Sequence, residues 1–340
     1  MPTGALHTRF SRKFGLAAPL CLAPMALAAG GELAAAWARS GALALVGGGY
    51  GDVDWLKQEY CAAVSKLRST PAALSRLGCG FITWKLDQDC SAFDWLLDQP
   101  ETPAAVMLSF GDAGSWVKRL ADRSIPAICQ IQRADQLHAV IDAGASVIVA
   151  QGSEAGGHGI RSSLGRGTFT LVPEVADILA KVAPETLVIA AGGISDGRGL
   201  AASLMLGADG AMIGSRAWAT RESLASAMAK QVAIAATGDG TIRSPIFDLL
   251  RGKDWPEPYD FRSIRNALHR EWEGRESELQ ARIVEARSRY EQGVASENYD
   301  LAHVTVGESV GLIHDTPSSA ELITQMVSET IDRLSLNYLL

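Results

Sequence analysis

Eight short apolar runs limit the folds open to this chain more than any other feature of its sequence. Each run precedes a polar or glycine-rich break and then a segment with helical spacing, which is typical of buried strands in a parallel sheet. A count of eight favours an α/β protein built as a closed (β/α)8 barrel of the TIM type over an open, doubly wound sheet. The predicted strands are Leu20–Ala23, Ala42–Val46, Cys79–Thr83, Ala105–Ser109, Ala127–Gln130, Ser146–Ala150, Leu187–Ala191 and Ala211–Gly214.

The segment after the eighth predicted strand does not continue the βα pattern. Residues 243–290 are rich in charged and aromatic side chains, and Arg262–Tyr290 predicts one or two polar-faced helices. Helical spacing returns at Pro317–Leu336. We therefore predict a helical insertion after strand eight, so that the barrel takes residues 1–217 and 305–340 and the insertion, residues 218–304, covers the active-site face.

The charge balance narrows the range of partners. The net charge is −7, from 31 Lys and Arg against 38 Asp and Glu, so no basic field attracts nucleic acid. Any bound phosphate would have to be held by local donors such as backbone N–H groups. No apolar stretch reaches the roughly eighteen residues that a membrane span needs, and we predict no membrane partner.

The amino-terminal segment imitates a secretory signal, because basic residues precede the apolar run Phe14–Ala29. Pro19 and Pro24 interrupt this run, which also supplies the first predicted strand, so we interpret the segment as retained. The five cysteines form no C-x-x-C pair or disulfide-like framework, which indicates a reducing compartment. We predict a cytoplasmic location.

Glycine-rich segments follow several of the predicted strands, and the loops that follow the strands of such a barrel form its binding face. The sixth strand leads into Ala150–Gly159, which holds four glycines, one carboxylate and one imidazole; a long flexible loop is the alternative interpretation. Gly192-Gly193 and Gly214-Ser215 end the seventh and eighth strands, as in a phosphate cradle, although turn glycines would give the same pattern.

A planar cofactor is consistent with two further loops, Ala23-Pro24-Met25 and Gly47–Gly51, which let the backbone come close to a ring. No Gly-x-Gly-x-x-Gly motif opens a helix after the first strand, which argues against a nicotinamide-binding Rossmann unit. No cluster of His, Cys and carboxylates has metal-ligand spacing, so no metal is predicted.

Taken together, these motifs resemble the nitronate monooxygenase family, formerly called 2-nitropropane dioxygenases. The resemblance is carried by 150–159, by 167–174, and by 190–200 with 207–216, and it extends more weakly from Pro24 to the carboxyl-terminal helix. It implies an FMN-containing barrel whose helical insertion partly covers the flavin. It also implies that the enzyme converts an alkyl nitronate and O2 to a carbonyl compound and nitrite. A homodimer is one oligomeric state that the sequence leaves open.

By the same resemblance, His158 lies beside the substrate as the catalytic residue, where it would orient the anion or take an α-proton. A surface histidine in a mobile loop is the alternative. Lys85 could approach the flavin from the third strand, or could be a snorkelling lysine at a strand end. The predicted cofactor-binding residues are Ala23, Pro24, Met25, Gly48, Lys85, Gln130, Gln151, Glu154, Gly156, Gly157, Gly192, Gly193, Gly214 and Ser215.

Two other functions remain open from the sequence. One is an FMN-dependent NAD(P)H reductase of quinones or enoyl thioesters, and the other is a flavin-binding protein without turnover. Two short segments also depart from the family pattern. The fourth strand is followed by Ser109-Phe110-Gly111-Asp112 where many relatives carry a longer loop, and Ile160 stands where a further glycine is common. Both changes fall on the substrate side of the expected pocket.

Overall fold

Eight parallel strands form a barrel in the computed structural model, which describes residues 6–335. Strands β1–β6, β8 and β9 make up the barrel, so the predicted (β/α)8 fold and its eight strand positions are confirmed. The strands, numbered in chain order, are β1 (Leu20–Leu22), β2 (Ala44–Gly49), β3 (Leu77–Ile82), β4 (Val106–Ser109), β5 (Ala127–Ile131), β6 (Val147–Gln151), β7 (Gly157–Ile160), β8 (Leu187–Ala191), β9 (Gly210–Ile213), β10 (Thr241–Ser244) and β11 (Tyr259–Ile264).

The barrel closes between its first two strands. Hydrogen bonding runs in the order β1, β9, β8, β6, β5, β4, β3, β2, and a parallel bridge between Cys21 and Leu43 joins the two ends of that order. Across this seam Leu22 N donates to Leu43 O at 2.8 Å, and Leu43 N donates to Leu20 O at 3.0 Å. Closure leaves no unpaired edge in the barrel and brings the carboxyl ends of all eight strands to one face.

Helices connect the barrel strands and continue through the insertion. They are α1 (Arg9–Phe14), α2 (Gly31–Arg39), α3 (Val53–Leu67), α4 (Pro71–Leu74), α5 (Thr83–Leu86), α6 (Ser91–Leu97), α7 (Gly114–Ala121), α8 (Leu137–Asp142), α9 (Thr168–Val182), α10 (Gly197–Met205), α11 (Ser215–Trp218), α12 (Ala227–Ile234), α13 (Ile246–Arg251), α14 (Ala267–Trp272), α15 (Glu276–Ala281), α16 (Ile283–Ala295) and α17 (Ser319–Leu334). Three-residue 3₁₀ turns lie at Ala134–Gln136 and Gly238–Gly240, and a longer one at Glu308–Leu312.

Strand side chains alternate between the barrel interior and the helical layer. Val147 and Val149 of β6 belong to the interior cluster, whereas Ile148 and Ala150 pack with the surrounding helices. This alternation explains why each strand is apolar along its whole length, since both of its faces are buried. Phe10 of α1 joins the interior cluster at the amino-terminal end of the strands, where the Arg9 guanidinium pairs with Asp209 at 2.7 Å.

The segment between β9 and α17 contains strands as well as helices. Strands β10 and β11 pair antiparallel, and β11 also pairs antiparallel with β7, which lies in the loop after β6. The interpretation of 262–290 as helix alone was therefore wrong at its start, because Arg262–Ile264 belongs to β11. The glycine-rich loop gains strand structure from a partner about 100 residues away, and a local sequence pattern does not contain that pairing.

Candidate functional site

A cavity of about 910 Å³ opens at the carboxyl ends of the barrel strands. Residues at or just beyond the carboxyl ends of all eight barrel strands line it, and residues of the 218–304 segment, including Trp255 and Phe261, also line it. The volume falls within the range of small-molecule and cofactor sites. The predicted site residues on its wall are Ala23, Pro24, Met25, Gln130, Gln151, Glu154, Gly156, Gly157, His158, Gly192, Gly193, Gly214 and Ser215.

Two of the predicted cofactor residues, Gly48 and Lys85, lie outside this lining. A Cβ on Gly48 would lie 2.7 Å from the Phe81 ring, so this glycine packs within the barrel wall, and Gly49 lines the cavity instead. The Lys85 ammonium is 2.9 Å from Gln88 Oε1 and 4.5 Å from the centre of the Trp84 ring. Helix α5 begins directly after β3, and its turn carries Lys85 to the surface.

Glycines leave open space at one side of the cavity. Gly157 and Gly193 have φ angles of +69° and +77°, which side-chain-bearing residues rarely adopt. A Cβ on Gly193 would have no protein atom closer than 3.5 Å, and on Gly214 none closer than 3.9 Å. A side chain at either position would occupy the cavity rather than collide with the protein, so these glycines keep the cavity open for a ligand.

The Glu154 carboxylate is engaged by the first residue of α9. Thr168 N donates to its two oxygens at 2.9 and 3.0 Å, and Thr168 Oγ1 lies 3.1 Å from Oε2. The same hydroxyl is 2.9 Å from Gly192 O, so Thr168 ties the loop after β6 to the glycine pair after β8. A carboxylate at a helix N-terminus is stabilised by the backbone N–H groups there.

Three glutamine side chains form a connected network beside the glycines. Gln130 Nε2 donates to Gln151 Oε1 at 3.0 Å, and Gln132 Nε2 donates to the same oxygen. Gln132 Oε1 in turn accepts from Ile160 N at 2.7 Å, which ties the network to β7. Gln132 was not among the predicted site residues, although its position two residues after Gln130 is the alternation expected along a strand.

His158 lies on β7 against the carboxylate of Asp248 from α13. Its Nε2 is 2.9 Å from Oδ1 and 3.0 Å from Oδ2, and both side chains are less than a tenth exposed. The Trp255 ring stacks on the imidazole with centroids 3.5 Å apart and planes at 13°. Phe261, the register partner of His158 on β11, packs on it at 4.8 Å. The imidazole is therefore fixed in one orientation at the cavity wall.

Burial controls the protonation of this pair. Removal from water lowers the pKa of His158 well below its usual value, and the nearby Arg251 and Arg243 lower it further. Burial raises the pKa of Asp248 to about 7, while Arg251 opposes that rise. Around neutral pH the imidazole is accordingly neutral, and the state of the carboxyl group decides which ring nitrogen carries the proton.

Two buried arginines hold the loop that leads to His158. Arg243 Nη1 donates to Gly157 O at 3.0 Å and to Asp260 O at 2.8 Å, and its Nη2 donates to Ala155 O at 2.6 Å. Arg262 Nη2 donates to Ser153 O at 3.1 Å and pairs with Glu308 at 2.9 Å. Burial lowers the pKa of Arg243 to about 9, so the guanidinium stays charged at neutral pH.

Replacing Arg243 by Ala is expected to lower the free energy of unfolding by about 3 kcal/mol, because several buried carbonyl groups lose their donor. Urea denaturation of both proteins at pH 7.5 measures the difference. Arg275→Ala is the matched control, since the contacts of the exposed Arg275 with Glu278 and with Glu271 O lie on the surface, and we expect a change of less than about 1 kcal/mol there. Equal stability of Arg243→Ala and the parent protein would contradict this account of the loop.

Asp248, Trp255 and the two arginines are further site residues that the sequence did not predict. They come to the loop that carries His158 from positions more than 80 residues away, in the stretch 243–290 that is rich in charged and aromatic side chains. Among residues 6–335, no group of three or more His, Cys, Asp or Glu side chains is arranged to hold a metal ion. Within the same residues, no helix is long and apolar enough to cross a membrane.

Comparison with known proteins gives consistent matches along the chain. A profile described as nitronate monooxygenase matches residues 89–329. Nitronate monooxygenase of Neurospora crassa is 29% identical, over 92% of this chain and 89% of that protein. Nitronate monooxygenase npaC of Metarhizium robertsii is 30% identical, over 89% and 88%.

Two solved structures share the fold. FabK from Thermotoga maritima has a TM-score of 0.80 at 24% identity and covers 97% of each chain. Nitroalkane oxidase from Streptomyces ansochromogenes has a TM-score of 0.76 at 22% identity, over 96% of this chain and all of that one. Both likenesses extend over nearly the whole of this chain.

Proposed function

Because this chain belongs to the nitronate monooxygenase family, we propose that it is an FMN-dependent oxidoreductase that oxidises alkyl nitronates with O2 to a carbonyl compound and nitrite. The observation that carries the proposal is the convergence of His158 and the family's glycine-rich strand ends on one cavity. We also propose the division predicted from the sequence, with a barrel of residues 1–217 and 305–340 and a covering segment of 218–304. The cytoplasm is the proposed location.

The cavity wall fits FMN. A flat ring system can lie against the small residues Ala23, Gly49 and Gly157, where little side chain is in the way. We assign the phosphate to the backbone of Gly192, Gly193 and Gly214 with the Ser215 hydroxyl, as the resemblance implies. When bound, FMN would supply the redox chemistry, by taking electrons from the electron-rich nitronate and passing them on to O2.

Local positive charge favours an anionic substrate in a chain whose net charge is −7. Arg251 and Lys253 line the cavity beside Asp248, and Arg287 lines it from α16. Arg251 Nη1 is buried without a hydrogen-bond partner and lies 3.8 Å from Asp248 Oδ1. These cations would attract the nitronate and stabilise its negative charge in a water-poor site.

His158 would act through Nδ1, because Nε2 is taken by Asp248. With Asp248 ionised, Nε2–H donates to the carboxylate and the Nδ1 lone pair is available as a base. With Asp248 protonated, its O–H donates to Nε2, so the ring proton sits on Nδ1, which can then only donate. A neutral nitroalkane must lose an α-proton before it can react as a nitronate, and that step needs the first arrangement.

We therefore expect kcat/KM for a neutral nitroalkane to rise with pH and to level off above about 7, where Asp248 is ionised. Asp248→Asn should remove this ionisation from the profile and lower the plateau, on the order of tenfold. Initial rates between pH 5.5 and 9 test this, with the preformed nitronate as the comparison substrate. An unchanged inflection near pH 7 in Asp248→Asn would exclude Asp248 as the controlling group.

The decisive test of the function is the visible absorption spectrum of the purified protein. We expect a flavin spectrum that changes on anaerobic addition of propionate 3-nitronate and recovers when O2 is admitted, with nitrite released. Anaerobic NADH serves as the comparison, because rapid bleaching by NADH would favour the reductase alternative. A colourless protein that FMN does not reconstitute would overturn the proposal.

A further inference from the structure

Phe110 holds an unusual backbone conformation at the carboxyl end of β4. Its φ angle is +64°, in the left-handed region that bulky side chains rarely adopt. The next residue, Gly111, has a φ of +152°, and a Cβ there would lie 3.1 Å from Trp84 N. Phe110 O also accepts a hydrogen bond from Trp84 N at 3.3 Å, so contacts with α5 fix this turn. Such conformations concentrate at binding sites.

The turn directs the Phe110 ring into the aromatic cluster around His158. Its centroid lies 5.0 Å from that of Trp255, 5.2 Å from that of Tyr259 and 6.4 Å from that of His158. The Phe110 ring therefore lies close to the His158 imidazole without stacking on it. A substrate that reacts beside His158 would have Phe110 close to its non-reacting end.

A second cavity, of about 240 Å³, lies next to the same residue. Phe110 and Gln130 line both cavities, so they form the partition between them. Ala139 and Val140 of α8 and the Tyr259 ring form other parts of the smaller wall. Phe110 is thus one of the two residues that stand between the two spaces.

The amide groups around the second cavity are largely engaged with the protein. Gln132 Oε1 accepts from Ile160 N at 2.7 Å, and Gln136 Oε1 accepts from Gln132 N at 2.8 Å and from Arg133 N at 3.1 Å. Groups that already have partners offer little to a polar ligand. The wall also holds Asp112, whose Oδ1 accepts from Gly114 N at 2.9 Å, and its apolar part, with Ile131, Ala139 and Val140, suits a hydrocarbon chain.

We propose that Phe110 is a specificity-determining residue, which limits the length of the substrate's alkyl chain by closing the second cavity off from the site of reaction. The proposal rests on the proposed function for the identity of the reacting group, but the partition itself is a property of the cavities. The parent enzyme should prefer short nitronates, whose chains end before the Phe110 ring.

Phe110→Ala is expected to raise the ratio of kcat/KM for the nitronate of 1-nitrohexane to that for the nitronate of nitroethane by about tenfold or more. Each methylene that becomes buried is worth about fourfold in affinity, and the opened space should bury two or three of them. Rates of nitrite release across the series from nitroethane to 1-nitrohexane measure the ratio. An unchanged ratio in a folded variant would overturn the proposal.

Two further variants keep the test sharp. Val140→Ala enlarges the second cavity from its far side and leaves Phe110 in place, so we expect no change in chain-length preference. Phe110→Gly opens the same partition and suits the positive φ, so it replaces Phe110→Ala if the alanine variant does not fold. A shift of equal size in Val140→Ala would show that the partition is not the cause.

Binding of straight-chain carboxylates separates this proposal from the proposed function, because a carboxylate is a planar anion that does not react. Calorimetric titration of the flavin-loaded protein with propionate and heptanoate should show heptanoate gaining about tenfold in affinity in Phe110→Ala. If no nitronate is oxidised but heptanoate gains affinity, the proposed function is refuted and the role of Phe110 as a partition is supported. If nitronates are oxidised but Phe110→Ala changes neither the kcat/KM ratio nor the affinity ratio of the two carboxylates, the proposal for Phe110 is refuted.

Discussion

His158→Ala is expected to lower kcat/KM for a neutral nitroalkane by about 10²- to 10⁴-fold, the usual contribution of a positioned general base. The buried Asp248 carboxylate fixes the imidazole tautomer, and Trp255 stacked at 3.5 Å fixes its plane. Preformed nitronate has already lost the α-proton and should lose much less activity. Parallel assays of the two substrates measure the difference directly.

The control for this experiment is His314→Ala, which removes an exposed histidine that does not line the cavity. It should retain parent rates on both substrates. The flavin content of both variants must match that of the parent, so that a lost cofactor is not mistaken for a lost base. Parent-level activity of His158→Ala on the neutral nitroalkane would remove His158 from the mechanism.

Gly193→Val is expected to abolish flavin binding, with a rise in the Kd for FMN of about 100-fold or more. The new side chain would fill the space in front of the strand end, and it would displace hydrogen bonds between backbone N–H groups and the phosphate, each worth about 1.5–3 kcal/mol. The purified variant should be colourless. Titration with FMN, followed by quenching of the flavin fluorescence, gives the Kd.

Gly274→Val is the matched control for backbone strain. Its φ of +73° is close to the +77° of Gly193, and a Cβ there would have no protein atom within 4 Å. Both variants should therefore lose a similar amount of folding stability, which thermal unfolding measures. Only Gly193→Val should also lose flavin. Retention of parent-level FMN by Gly193→Val would refute the phosphate assignment.

The barrel could be predicted from sequence because its signals are local. Each strand is a short apolar run buried on both faces, and strand ends that carry glycines fall at one face once the strands are parallel. Gly193 and Gly214 were placed on the cavity in this way. No information about distant partners was needed for them, only the position of each glycine relative to the end of its strand.

Gly48 and Lys85, which were also predicted to bind the cofactor, are not among the residues that line the cavity. The β2–β3 pairing shifts register between Gly47 and Gly49, and this irregularity turns Gly48 toward Phe81 instead of the cavity. For Lys85 the sequence left open an approach from the third strand and a snorkelling lysine at the strand end, and in the structure Lys85 lies in α5, which begins at Thr83. A register shift of one residue moves a side chain to the opposite face of the strand, and the sequence alone does not reveal such a shift.

Asp248 and the left-handed Phe110 were beyond prediction for a different reason. Asp248 meets His158 because α13 packs beside β11, and β11 pairs with β7 from about 100 residues away in the chain. Phe110 adopts its φ because the surrounding contacts compensate an intrinsically unfavourable conformation. Tertiary packing decides both, and local propensity does not.

The three-stranded sheet formed by β10, β11 and β7 has an evolutionary consequence. It joins the segment 218–304 to the loop that bears the imidazole, whereas the glycines that we propose to hold the phosphate follow strands of the barrel. If residues 241–264 were exchanged between homologous enzymes, the side chains around His158 would change together. The affinity for the cofactor would stay that of the enzyme that supplies the barrel. We expect such chimeras to differ in the reaction or substrate that they favour while they bind the proposed flavin alike.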